Sequence, residues 1–198
     1  MDIFKAINEN DLEKVKLIVQ PGFDINQTEK EYGRTPLMEA SNYGYLEIVQ
    51  FLVDIRKADL NKAEDYGRTA LMLASMRGHL EIVQFLVDVG KADLNKLNVH
   101  GRTALILASM RGHLEIVQFL VQNYADLTQT DNYGQTALTI AYNYGYSGII
   151  KYLKKIEFII KIIRAFHRSP EYAAWRYHPK KMKKEGFFDL DYEKGVHS

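Results

Sequence analysis

The sequence predicts an all-α protein, an elongated stack of helix–turn–helix units that share one apolar spine. Three observations predict it. GRTALMLASMRGHLEIVQFLV, from Gly67, returns 34 residues later as GRTALILASMRGHLEIVQFLV, with Met72 against Ile106 the one difference. Gly33, Gly67, Gly101 and Gly134 head four copies at spacings of 34, 34 and 33, with Ala40, Ala74, Ala108 and Ala141 in step. Each copy carries the signals of two short helices, too small to bury an apolar face alone; stacking like units on one another makes a continuous core.

The elements follow in chain order. Residues 1–31 form an opening partial unit, in which Ala6, Leu12 and Val15 lie 34 before Ala40, Leu46 and Val49, and Asn10 takes the left-handed turn position. Full units cover 32–65, 66–99, 100–132 and 133–155. In each, a threonine such as Thr69 precedes the first helix, where its hydroxyl accepts an orphan backbone N–H. Pro36 follows Thr35 at a first helical position, which needs no N–H. Gly78 ends the first helix of its unit. Leu80, Val83, Leu86 and Val87 then mark the apolar stripe of the second helix. The Gly-, Asn- and Asp-rich DVGKADLNKLNVHG reads as a turn or hairpin leading into the next unit.

Beyond the copies, KKIEFIIKIIRAFHRS groups Lys154, Glu157, Lys161, Arg164 and Arg168 on one helical face and isoleucine and phenylalanine on the rest. Residues 156–168 are expected to be a helix capping the open end of the stack; a membrane-surface helix is the alternative. Residues 169–198 form a basic extension. Ser169 and Pro170 open a short helix that Pro179 ends, and Trp175, the sole tryptophan, is read as docking the tail. The remainder, from Lys180 to the acidic-aromatic GFFDLDY, reads as a solvated tail. The alternatives are contact with nucleic acid, a sorting signal or a docked peptide.

Composition bounds the function. The chain has no cysteine, so disulfides and thiolate metal sites are excluded. No apolar run is long enough for a membrane span, and the N-terminus does not read as a secretory signal, which gives a cytoplasmic expectation. The net charge of +1 conceals a split: residues 1–150 carry 14 Lys/Arg against 19 Asp/Glu, and residues 151–198 carry 12 against 6. No phosphate-binding loop, nucleophile elbow or His-Glu-x-x-His is present. His79 and His113 belong to the repeat, and His167 and His178 lack a metal-ligand spacing. No catalytic group, metal or cofactor is therefore expected.

The units YGRTPLMEASNYGYLEIVQFLVDIRKADLN and its successors resemble the ankyrin repeat in their Gly, Thr-Pro-Leu, paired small residues, Gly-His-Leu-Glu-Ile-Val and Ala-Asp-Leu-Asn. The resemblance covers roughly residues 1–155. It departs from the pattern where the usual histidine after Thr-Pro-Leu is Met38, Met72, Ile106 and Thr139, so apolar packing is expected to replace its hydrogen bonds. RKADLN and GKADLN carry one residue more than usual, and Gly145-Tyr146-Ser147-Gly148 is degenerate. The resemblance implies an all-α solenoid with a concave groove that binds another protein without chemistry of its own, as a monomer. Proteins of this kind are frequent in intracellular bacteria and large DNA viruses, which admits a host-directed role.

Carried onto this chain, the family's surface positions flank each hairpin glycine and precede the glycine that ends the first helix. They give Tyr32, Arg34 and Tyr43 (with Asn42 beside it), then Tyr66, Arg68, Met76 and Arg77, then His100, Arg102, Met110 and Arg111, and last Tyr133 and Tyr144. Tyrosine, arginine and methionine are enriched at interfaces; the tyrosines equally suit packing of one turn on the next. Arg34, Arg68, Arg102, Arg77 and Arg111 are expected to form a positive strip that favours a partner with acidic groups. A second reading makes the chain an adaptor whose basic tail contacts nucleic acid or an anionic membrane.

Overall fold

A computed structural model describes residues 2–55 and 57–167. They form helices α1 (Ile3–Asn8), α2 (Leu12–Ile18), α3 (Pro36–Tyr43), α4 (Leu46–Gln50), α5 (Ala70–Arg77), α6 (Leu80–Asp88), α7 (Ala104–Arg111), α8 (Leu114–Gln122), α9 (Ala137–Asn143) and α10 (Ser147–His167), with no strand among the described residues. The chain divides into two compact units, residues 1–150 and 151–198.

In the first unit the helices pair in chain order. The first helices α1, α3, α5, α7 and α9 pack consecutively and more closely than the second helices α2, α4, α6 and α8. This is the stack the periodicity predicts, and the ankyrin solenoid fold. Thr35, Thr69, Thr103 and Thr136 cap the first helices: each is extended, and its hydroxyl accepts the N–H three residues on at 3.2–3.3 Å. Asn10 takes a φ of +52° in the opening unit, as its place in the repeat requires. Gly78 has a φ of +88°, and a Cβ there would stand 2.7 Å from the His113 ring of the next unit. That ring reaches past the glycine to donate from Nε2 to the Met76 carbonyl at 3.2 Å, and His79 does the same to Asn42 one unit earlier. The repeat histidines therefore tie neighbouring units to each other.

The core is a column of equivalent residues. Met38, Met72 and Ile106 are each about 1% exposed, so apolar burial stands where the family places a hydrogen-bonding histidine. Exposed Thr139 instead exchanges hydrogen bonds with Thr136. On α6 the buried residues are Ile82, Val83 and Leu86, whereas Leu80 and Val87 of the expected stripe are half-buried. Ile82, Leu86 and Val83 span about 100° of the helix circumference, and Val87 and Leu80 both lie beyond its Val83 edge.

The extra residue of the early copies is absorbed where the second helix ends. The Ala58 and Ala92 N–H groups reach back six residues to the Leu52 and Leu86 carbonyls, while Ala125 reaches back five to Leu120. The first of these endings is wound as a π-helical turn over Phe51–Ile55. Lys57, Lys91 and Tyr124 then turn the chain at φ values of +55° to +67°.

The second unit is described by the remainder of α10. Residues 156–167 of the expected capping helix 156–168 lie within α10, which begins at Ser147. Phe158 and Ile162 on it are 64% and 52% exposed. Arg168, Trp175 and the 169–198 extension lie outside the described residues.

Candidate functional site

One side chain folds each hairpin. Glu29 accepts the Tyr32 and Arg34 N–H groups at 2.8 and 3.0 Å, and Glu64 those of Tyr66 and Arg68 at 3.1 Å. Asn98 accepts from His100 and Arg102 at 2.9 Å, and Asp131 from Tyr133 and Gln135 at 3.0 Å. The hairpins join along the stack through Asp65, Val99 and Asn132, whose N–H groups donate to the Tyr32, Tyr66 and His100 carbonyls. Gly67 makes this approach possible, since its φ is +74° and a Cβ would lie 2.9 Å from the Val99 nitrogen. At Asp131, burial alone would raise the pKa. The N–H groups of Gln135 and Tyr133 and the Arg102 guanidinium outweigh it and hold the carboxyl below its usual range. Burial opposes ionisation of Glu29 in the same way and is outweighed by the Arg34, Glu31 and Tyr32 N–H groups. At Tyr32, a hydrogen bond to the Glu31 carboxylate raises the phenol.

The hairpin arginines are not free. Arg34 pairs with Glu39 at 3.1 Å, Arg68 with Glu64 at 2.9 Å and Arg102 with Asp131 at 3.3 Å, and the Glu64 and Asp131 side chains are fully buried. Arg34 and Arg68 also lie over the Tyr32 and Tyr66 rings, 4.8 and 5.1 Å from their centroids. This corrects the expected five-arginine strip: three of its charges are balanced from behind. Asn42 is corrected too. It is buried rather than a surface position, and its Oδ1 accepts Arg77 Nε at 3.0 Å. Arg77 and Arg111 are exposed and pair with no carboxylate among the described residues. The place of Asn42 one unit on is taken by Met76, which offers Arg111 no such acceptor, and Arg111 has no polar partner among the described residues.

The two near-identical units enclose a groove of about 260 Å³ lined by Tyr66, Arg68, Met76, Asn98, His100, Arg102, Leu107, Met110 and Arg111. It gathers seven of the sequence-predicted residues. Met76, Leu107 and Met110 supply the apolar lining; Tyr66, His100 and the three arginines supply the polar groups. Tyr32, Arg34 and Tyr43 belong to the preceding unit, Tyr133 and Tyr144 to the following one and Arg77 to the second full unit itself, and none of the six lines the groove. Tyr43 and Tyr144 stack on Tyr45 and Tyr146. Sequence reasoning missed Asn98 and Leu107. The signal for Asn98 was there: Glu64, Asn98 and Asp131 each stand three residues before a hairpin glycine. A second hollow of about 310 Å³, beside Gly112, Tyr146 and Gly148, has no charged residue in its lining.

Among the described residues no group of three or more His, Asp or Glu side chains could hold a metal ion, and no helix is long and apolar enough to cross a membrane. A comparison with curated proteins returned no match. The family model described as ankyrin repeats (3 copies) matches residues 3–98 and 89–162. Such repeats are generally protein–protein interaction modules. With the capped helix pairs, the ring-over-glycine contacts between units and this match over most of its length, the chain belongs to the ankyrin repeat family.

Proposed function

We propose that the protein is a non-catalytic scaffold that binds a partner protein through the face formed by its hairpins and first helices. The observation that carries this reading is the groove between the second and third full units. It joins an apolar lining to aromatic and arginine side chains, the combination found at binding hot spots. At about 260 Å³ it is smaller than a pocket for a drug-sized ligand and suits one or two side chains of a larger partner.

The test places a photo-crosslinking residue at Met110, inside the groove, or at Glu81, an exposed position on α6. Each protein is irradiated in a lysate of the source cells. Discrete protein adducts from position 110 that are absent from 81, and that are lost in the Arg111→Glu variant, support the groove. The same adducts from both positions, or an unchanged set in the Arg111→Glu variant, remove it.

A further inference from the structure

Resting on that reading, we infer what the groove recognises: a partner segment that sets an Asp or Glu carboxylate beside a large apolar side chain. The apolar half of the site is Met76, Met110 and Leu107. Methionine thioethers adapt their shape to an incoming side chain and are used for that purpose at binding surfaces. The charged half depends on which arginine donors are already engaged. Arg68 gives Nε and Nη2 to Glu64 at 2.9 and 3.1 Å. Arg102 gives only Nε to Asp131, at 3.3 Å, and both of its terminal nitrogens are without a hydrogen bond among the described residues. Arg111 is exposed and has no polar partner among the described residues, because Met76 stands where Asn42 holds Arg77. No acidic residue lines the groove, and the two buried carboxylates behind it are already paired.

The uncompensated charge is therefore that of Arg111, backed by open donors on Arg102. That matches a single carboxylate, which a guanidinium binds through a pair of parallel hydrogen bonds. It does not match a polyanion: residues 1–150 carry 14 Lys/Arg against 19 Asp/Glu, so the body around the groove would repel a run of phosphates. The apolar lining argues the same way, for it gives a phosphate backbone nothing to bury.

The experiment selects binders to the full chain from a displayed library of random dodecapeptides, then measures synthetic versions by fluorescence anisotropy at physiological salt. The expected winners carry Asp or Glu within one or two residues of Leu, Met or Phe. Replacing that acid by its amide, or introducing Arg111→Glu, is expected to weaken binding about tenfold or more. A peptide with Lys in place of the acid should regain binding to the Arg111→Glu protein, and Glu81→Lys should change little. Winners that lose binding on Met110→Asp yet ignore both their own acid and Arg111→Glu would leave the groove standing and overturn its proposed chemistry. Winners indifferent to every groove substitution, or no winners, would overturn the groove reading as well. Tighter binding of an oligo-dT strand or of phosphatidylserine vesicles, lost in Arg111→Glu, would overturn the carboxylate in favour of phosphate.

Discussion

Asp131 carries two duties with one carboxylate: it closes its own hairpin and neutralises Arg102 of the unit before. Its folded pKa lies below the ordinary 3.8, so its charge stabilises the fold at any pH above 3.8, and the contribution is lost as the pH falls through the lowered folded value. Asp131→Asn keeps an acceptor for the N–H groups, as Asn98 shows one unit earlier, but gives up the charge. It is expected to cost about 1–2 kcal/mol at neutral pH. Urea melts of both proteins at pH 7 and in acid should show that gap closing below pH 3.8. A gap independent of pH would mean that the amide's shape, not the charge, matters. Lys91 presents the opposite case, a side chain at a φ of +58°, in the left-handed region that favours glycine. Lys91→Gly should relieve about 1 kcal/mol of backbone strain and raise Tm by a few degrees, as calorimetry would show.

At the scale of an element, the first helices share a polar column that the stack leaves unanswered. The hydroxyls of Ser41, Ser75 and Ser109 are fully buried and lack a hydrogen-bond partner among the described residues. A buried hydroxyl without a partner costs more than the methyl group that could replace it. Ser75→Ala and Ser109→Ala are each expected to stabilise by about 0.5–1 kcal/mol, additively if the two helices respond independently, as denaturant midpoints would reveal. The outer loops are tied more completely. Asn26, Asn61 and Asn95 each accept the backbone N–H of the aspartate in the next unit, at 2.9–3.0 Å. Lys62 reaches the Asn26 carbonyl at 2.7 Å, and Lys96 the Asn61 carbonyl. The Asn of Asp24-Ile25-Asn26 and of the two Asp-Leu-Asn segments is thus a tie between units, a role that reading one copy in isolation does not disclose.

For the repeat array as a whole, contacts run between neighbours, so a unit can be removed without changing the logic of the rest. Deleting Arg68–Gly101 joins Gly67 to Arg102 in register and sets the third unit directly on the first. The shortened chain should keep a helical circular-dichroism spectrum and a cooperative melt at lower temperature. Arg111 would then face Asn42 instead of Met76, and the groove would be gone, so peptide binding at this site should vanish while folding persists. Retained binding by a folded deletion protein would place recognition elsewhere.

Helix pairs, caps, glycine turns and the register of the stack were legible in the chain because they follow from local conformational preference and from a period that repeats. So were seven of the groove residues, through the surface positions of the repeat. Beyond reach were the features set by which unit lies next to which. ASMRG is written twice, yet Arg77 is bound to Asn42 and Arg111 is left open, because the copies share a sequence and not a neighbour. Likewise Arg102 and Asp131 stand 29 residues apart and meet only when two hairpins stack, whereas Arg34 and Arg68 are balanced locally by Glu39 and Glu64. Periodicity dictated the scaffold on its own; the charge and shape of the groove depend on side chains brought together across a unit boundary, and only the folded stack decided those.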